Sequence, residues 1–298
     1  MPSERDIRRR IRSVRNVSQI TRAMEMVAAS KMRRAQQRVA GSRPYTERLR
    51  GMLADLSAAV DEETTQQFPL LQRREIKRAS IILVTGDRGL AGSLNSNVIR
   101  RATRFIVEES DARGVETQII AVGRKGRDFM RRYGRNVVAE FTPVGDRPSF
   151  ADIAPIARVA MDDFIEGRVD AVYIAYTRFV NTLTQRPELV QILPIEPPTA
   201  NEDTASRRKL EYVFEPDART VLQDVLPRFV EITIYQAVLE GVASYFSAQM
   251  VAMRNATDNA KSLVTDLRLS LNKARQTRIT NEVAEISAGA NALNDAAG

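Results

Sequence analysis

Cysteine and histidine are both absent from the 298 residues. Without them there is no disulfide, no thiol or imidazole nucleophile and no Cys/His zinc site, so any chemistry would rest on carboxylates, hydroxyls, Lys, Arg or backbone amides. No apolar run approaches the roughly 20 residues needed to span a bilayer. The N-terminus lacks the apolar core of a signal peptide, and Glu4 and Asp6 interrupt an Arg-rich start that would be free of acids in a transit peptide. The expectation is a soluble protein facing the cytoplasm. Proline is missing between Pro2 and Pro44 and again after Pro227, which leaves both ends of the chain free to form long helices. What is present suffices for folding, since 43% of the residues are hydrophobic and a chain of this length can bury a sizeable core.

Charge is unevenly placed. The net charge is +8, yet residues 1–50 hold 14 of the 45 Lys/Arg and only 4 of the 37 Asp/Glu; the other 248 residues hold 31 and 33 and are slightly acidic. A basic block of this kind is either a solvated helix face or a surface for a polyanionic or acidic partner.

Three segments follow from the hydrophobic periodicity. In residues 1–60, Ile7, Ile11, Val14, Val17, Ile20, Met24 and Val27 recur in steps of three or four, which predicts one helical stripe. Some 50 residues of helix would make a rod of ~75 Å, with Gly41 and Pro44 expected to bend or interrupt it. Residues 77–196 alternate strand and helix signals, from "ASIILVT" at 79–85 to a closing pair of strands, "VDAVYIAYTRF" and "PELVQILPI". This predicts a Rossmann-like α/β domain with a largely parallel sheet and an edge hairpin. Residues 197–215 are a polar linker. Residues 216–298 are helical again, with Ile279, Val283, Ile286, Ala290 and Leu293 in 4-3-4-3 steps as a heptad seam. Gly241, Ala243, Ser244 and Ala248 would let a partner helix approach closely. Each terminal helix bears a stripe it cannot bury alone. A long antiparallel coiled coil of the N- and C-terminal helices, with the α/β domain inserted between its arms, satisfies both.

The loop "TGDRGLAGSLN" at 85–95 invites a phosphate-binding reading. A P-loop requires GxxxxGK followed by Ser or Thr, and a dinucleotide fingerprint requires GxGxxG. Neither spacing is met by Gly86, Gly89 and Gly92, although Glu108 and Glu109 lie near the distance of a ribose ligand. The alternatives are a strand-to-helix turn in which Asp87 and Arg88 pair or cap locally and Asn95 or Ser96 caps the next helix, or a loop whose Asp87 and Arg88 touch a partner.

Four stretches converge on one family: "ITNEVAEISAGANA" at 279–292, with Glu282, Glu285, Gly289 and Ala290 at the signature offsets; "ITRAMEMVAASKMRRAQ" at 20–36; "MVAMRNATDNA" at 250–260; and "GDRGLAGSLN" at 86–95. Through them the chain resembles the gamma subunit of rotary, F-type ATP synthases along essentially its whole length. Ala91 and Ser93 stand where that family often carries Cys-Gly.

The resemblance implies a non-catalytic rotor shaft without cofactor or metal. Its two terminal helices would turn inside a ring of alpha and beta subunits, and its α/β domain, with epsilon, would dock on the membrane c-ring. It further implies that Met24, Arg275, Gln276, Thr280 and Glu282 contact the alpha/beta ring and that Tyr212 and Glu215 lie at the foot near epsilon and the c-ring. Read from the residues alone, Met24 is coiled-coil packing, Arg275 a solvated charge and Glu215 a helix N-terminal charge. The inserted segment and Cys pair of plant-type relatives are absent, which points to a bacterial protein, peripheral on the cytoplasmic face of the membrane. Two other functions compete: nucleic-acid binding by the basic helix, and a nucleotide-dependent enzyme built on the α/β domain.

Overall fold

The computed structural model describes residues 3–59, 67–196 and 217–296. Its elements are α1 (Glu4–Ala59), a 3-10 turn Pro69–Leu71, β1 (Arg78–Val84), α2 (Leu94–Ile106) continued by a π turn Val107–Asp111, β2 (Glu116–Val122), α3 (Arg124–Arg132), β3 (Val137–Phe141), α4 (Phe150–Ile165), β4 (Ala171–Phe179), β5 (Gln185–Leu193) and α5 (Ala218–Ala296). The chain divides into two compact units, residues 28–249 and residues 1–27 with 250–298.

In the larger unit the five strands run in the order β3-β2-β1-β4-β5. β1 pairs in parallel with β2 and β4, β2 in parallel with β3, and β5 returns antiparallel on β4. The expected edge hairpin is therefore present. The apolar run of β1 is sorted by strand alternation: Ile81 and Leu83 face Val98, Ala102 and Ile106 of α2 and Met130 of α3, whereas Ile82 and Val84 face Ile156, Ala160 and Phe164 of α4 and Leu226, Val230 and Val238 of α5. The second layer also takes in Leu49, Leu53 and Leu56 of α1. A parallel sheet covered on both faces is what a near-continuous apolar strand requires.

Three expectations change. α1 is not interrupted: Gly41 and Pro44 both lie inside it. Packing holds the flanks, with Val39 and Leu49 buried and Ser42 donating its hydroxyl to Gln236 of α5, and this outweighs the missing proline N–H. Gly241 and Ser244 serve the sheet and not a partner helix, since a Cβ at Gly241 would stand 3.2 Å from Val84 Cγ1 and Ser244 bonds the Thr177 carbonyl. Of the small residues, Ala243 does face α1, in a cluster with Ala35 and Val39. Finally, the cap position of α2 is Ser93, so Asn95 and Ser96 both lie within that helix.

Candidate functional site

The smaller unit is a pair of antiparallel helix segments. Thr21 of α1 meets Thr257 of α5, Oγ1 to Oγ1 at 2.7 Å, and Glu4 meets Arg278 at 3.7 Å. Ile7, Ile11, Thr21, Met253, Thr257 and Ala260 are buried in it. With the half-buried Val14 and Ser18, the α1 seam runs 7, 11, 14, 18, 21, and the α5 seam runs 253, 257, 260, 264, 267, 271, 274. Both follow 3.5-residue spacing, the signature of a coiled coil.

The sequence stripe slips off this seam by one residue after Val14. A strict heptad needs positions 18 and 21, which are Ser and Thr, so Val17, Ile20 and Val27 are left outside at 49%, 59% and 56% exposure. The expected C-terminal seam is corrected at its first three positions, the side chains of Ala290 and Leu293 lying outside the described residues. Ile279, Val283 and Ile286 are exposed, because α1 begins at Glu4 and Glu4 already stands opposite Arg278. The unit thus carries uncovered apolar residues in steps of three and four on both helices, the form of surface that marks a partner interface.

Among the residues expected to contact partners, Arg275, Gln276, Thr280 and Glu282 are all exposed on α5, and Met24 is half-buried on α1. Glu282 lies 3.6 Å from Arg278, one helical turn back. The four α5 residues form one belt. Counted from the Thr21–Thr257 contact, Met24 lies roughly 30 Å away from Arg275 along the helices, so the structure sets it in a second belt. Tyr212 and Glu215 lie outside the described residues.

The glycine loop is tied inward. Asp87 accepts the backbone N–H of Arg124 at 3.1 Å and of Val144 at 2.9 Å, so its carboxylate caps the start of α3, where a bound anion would otherwise sit. Asn95 accepts the N–H of Gly86 at 2.9 Å and donates to the Arg88 carbonyl at 3.2 Å. Tyr245 of α5 donates its hydroxyl to the Gly89 carbonyl at 3.0 Å, and its ring stands 3.0 Å from the position a Cβ on Gly86 would take. Burial pushes the Tyr245 hydroxyl above its ordinary pKa. The loop is a turn filled by its own chain, with Leu90 at φ 64° and Gly92 at φ 57° making the left-handed bends.

Of the basic residues of α1, Lys31, Arg34 and Arg38 lie beside the 144–149 loop, whereas the densest basic stretch, Arg5 to Arg15, belongs to the smaller unit. Arg34, Arg38 and Arg147 line a cleft of about 120 Å³. The acid in that lining, Asp146, is already paired with Lys31 at 2.5 Å. Among the described residues no cluster of His, Cys, Asp and Glu is arranged to hold a metal, and no helix is long and apolar enough to cross a membrane.

A family model described as ATP synthase matches residues 3–293. The ATP synthase gamma chain of Roseiflexus castenholzii is 53% identical over 294 residues, 98% of this chain and 99% of the relative. The chain belongs to the ATP synthase gamma-chain family. The gamma chain of Chloroflexus aurantiacus is 52% identical over 98% of this chain and 99% of its own length, so the likeness spans both units of the fold. Among solved structures, a chain of the Euglena gracilis mitochondrial ATP synthase aligns with TM-score 0.66 over 97% of this chain and 94% of that one at 19% identity. A chain of the Tetrahymena thermophila mitochondrial ATP synthase central stalk and c-ring aligns with TM-score 0.61 over 80% and 99% at 23% identity. These distant structures share the fold of two long terminal helices and an intervening α/β sheet.

Proposed function

We propose that this gamma-family chain is the central rotor shaft of a proton-translocating ATP synthase. It would couple rotation of a membrane c-ring to conformational change at nucleotide sites on beta subunits while holding no catalytic site of its own. The observation that supports this most is the paired-helix unit with uncovered apolar residues, in a chain alike along its full length to ATP synthase gamma chains. A shaft acts by differential contact: whatever favours one beta conformation over another shifts that site's affinity by the same free energy.

In this reading the α5 belt of Arg275, Gln276, Thr280 and Glu282, and the α1 belt at Met24, contact the alpha/beta ring. The arginines of α1 draw acidic partner loops toward it, and Tyr212 and Glu215 serve the epsilon and c-ring foot. The protein is peripheral, on the cytoplasmic face of a bacterial membrane. A nucleic-acid reading of the basic helix rests on charge alone.

Affinity purification of the chain from membranes tests this. Recovery of alpha and beta subunits in excess over it supports the shaft. Recovery without them, together with duplex DNA binding that falls steeply with salt, overturns it. In the assembled enzyme, R275A/Q276A should lower ATP synthesis with the helicity of the free chain unchanged; wild-type synthesis would reject their place in the belt.

A further inference from the structure

α5 buries a run of polar side chains where it crosses the sheet. Glu240, Ser244 and Ser247 share one helix face and are 7%, 0% and 0% exposed. Each meets the backbone of the β4–β5 hairpin. The Phe179 N–H donates to Glu240 Oε2 at 3.2 Å, Ser244 donates its hydroxyl to the Thr177 carbonyl at 3.1 Å, and Ser247 donates to the Thr182 carbonyl at 2.7 Å. The second Glu240 oxygen accepts from Gln236 Nε2 at 3.1 Å, and Gln236 in turn accepts the Ser42 hydroxyl of α1. The chain of bonds therefore runs from α1 through α5 to the sheet.

Apolar packing alone would hold this helix in place. Phe179, Leu239, Ala243 and Phe246 already cluster there with Ala35 and Val39, and burying hydroxyls and a carboxyl group carries a desolvation cost that apolar side chains avoid. Apolar packing fixes the helix only through shape, since the hydrophobic term itself has no direction. Hydrogen bonds to fixed backbone atoms are lost when the helix rolls or slides by a fraction of a turn.

We propose that Gln236, Glu240, Ser244 and Ser247 form a torque clutch: positioning residues that lock the rotational and axial register of α5, and through Ser42 of α1, onto the α/β domain. Rotation imposed on that domain then reaches the helices without slip. This rests on the shaft function proposed above. The clutch residues touch no nucleotide and act only through the helix that carries them.

The test uses the assembled ATP synthase in inverted membrane vesicles, measuring protons pumped per ATP hydrolysed. E240L/S244A/S247A is expected to co-purify with alpha and beta subunits like wild type, but to lower that ratio about two-fold, because a slipping shaft lets hydrolysis proceed without delivering rotation. Amide exchange at Phe179 should quicken about five-fold for its lost bond. E240Q keeps an oxygen for the Phe179 N–H and should restore the wild-type ratio. A destabilised subunit with no clutch would lower pumping and hydrolysis together and leave the ratio alone.

A wild-type ratio in the triple variant, or an equal loss in E240Q, overturns the clutch. Should the triple variant fail to assemble, S244A/S247A is read by the same ratio, and a wild-type value there overturns it equally. If the unmodified chain does not co-purify with alpha and beta subunits, the shaft function itself fails. If it does and the ratio never moves, only the clutch fails.

Discussion

Asp87 gives the sharpest test of how the glycine loop works. Its carboxylate accepts two backbone amides from separate parts of the chain, Arg124 at the start of α3 and Val144 after β3. D87A removes the acceptor of both while creating little space. The Val144 bond is partly buried and the Arg124 bond is exposed; taking ~2 kcal/mol for the first and ~1 kcal/mol for the second, where water can substitute, the total is about 3 kcal/mol. D87N keeps one acceptor oxygen and should cost about half of that. Neither change should affect the smaller unit, whose Thr21–Thr257 and Glu4–Arg278 contacts involve no part of this loop. The assay is hydrogen exchange resolved to the amides of Arg124 and Val144, since a bulk helical signal would be dominated by α1 and α5. Exchange should quicken about thirty-fold at Val144 and about five-fold at Arg124 in D87A, with a smaller rise at each in D87N. Unchanged exchange at both amides in D87A would refute the reasoning, as would a D87N variant as damaged as D87A, which would make charge and not acceptor geometry the cause.

Three further outcomes are expected. G123A should prevent the α/β unit from folding, at a cost above ~4 kcal/mol: the new Cβ would stand 2.1 Å from the Thr85 carbonyl at a φ of +98°, and Thr85 is pinned by its bonds to Val122 and Gly126; soluble yield reads this, and a normally folded variant would contradict it. T21V/T257V should change the thermal stability of the helix pair by less than ~1 kcal/mol, and each single variant likewise, because the hydroxyl left behind can donate its one proton to a carbonyl of its own helix, Ser18 for Thr21 and Met253 for Thr257; a loss above ~2 kcal/mol would make the pair a stability element instead of a register element. The Asp152 carboxyl, holding the N-terminus of α4 through the backbone N–H and hydroxyl of Ser149, titrates below the usual Asp value because of those bonds. Its contribution is therefore complete above about pH 4, the unfolded value, and is lost as pH falls through the lowered folded value. NMR titration of this carboxyl should move back toward the ordinary Asp range in S149A.

The α/β unit was legible because each of its signals is local. Alternation along "ASIILV" sorts Ile81 from Ile82, and the turn between "YTRF" and "PELV" forces the antiparallel edge. The failures share the opposite cause. Asp87 finds its partners 37 and 57 residues away, and Gly241 is small because Val84, far off in sequence, lies against it. The paired helices misled for a further reason. Periodicity assumes that apolar residues face inward, but here the seam continues through Ser18 and Thr21 while Val17, Ile20 and Val27 face out. A helix pair selected only to stay paired would place its valines and isoleucines in the seam. Putting a hydroxyl pair there and the larger apolar groups outside is what a coiled coil does when its outer surface must also fit something else. The one-residue slip between apolar stripe and seam is thus a readable signal: where apolar periodicity and strict heptad spacing disagree on a long helix, the apolar stripe marks the partner's side and the heptad marks the chain's own.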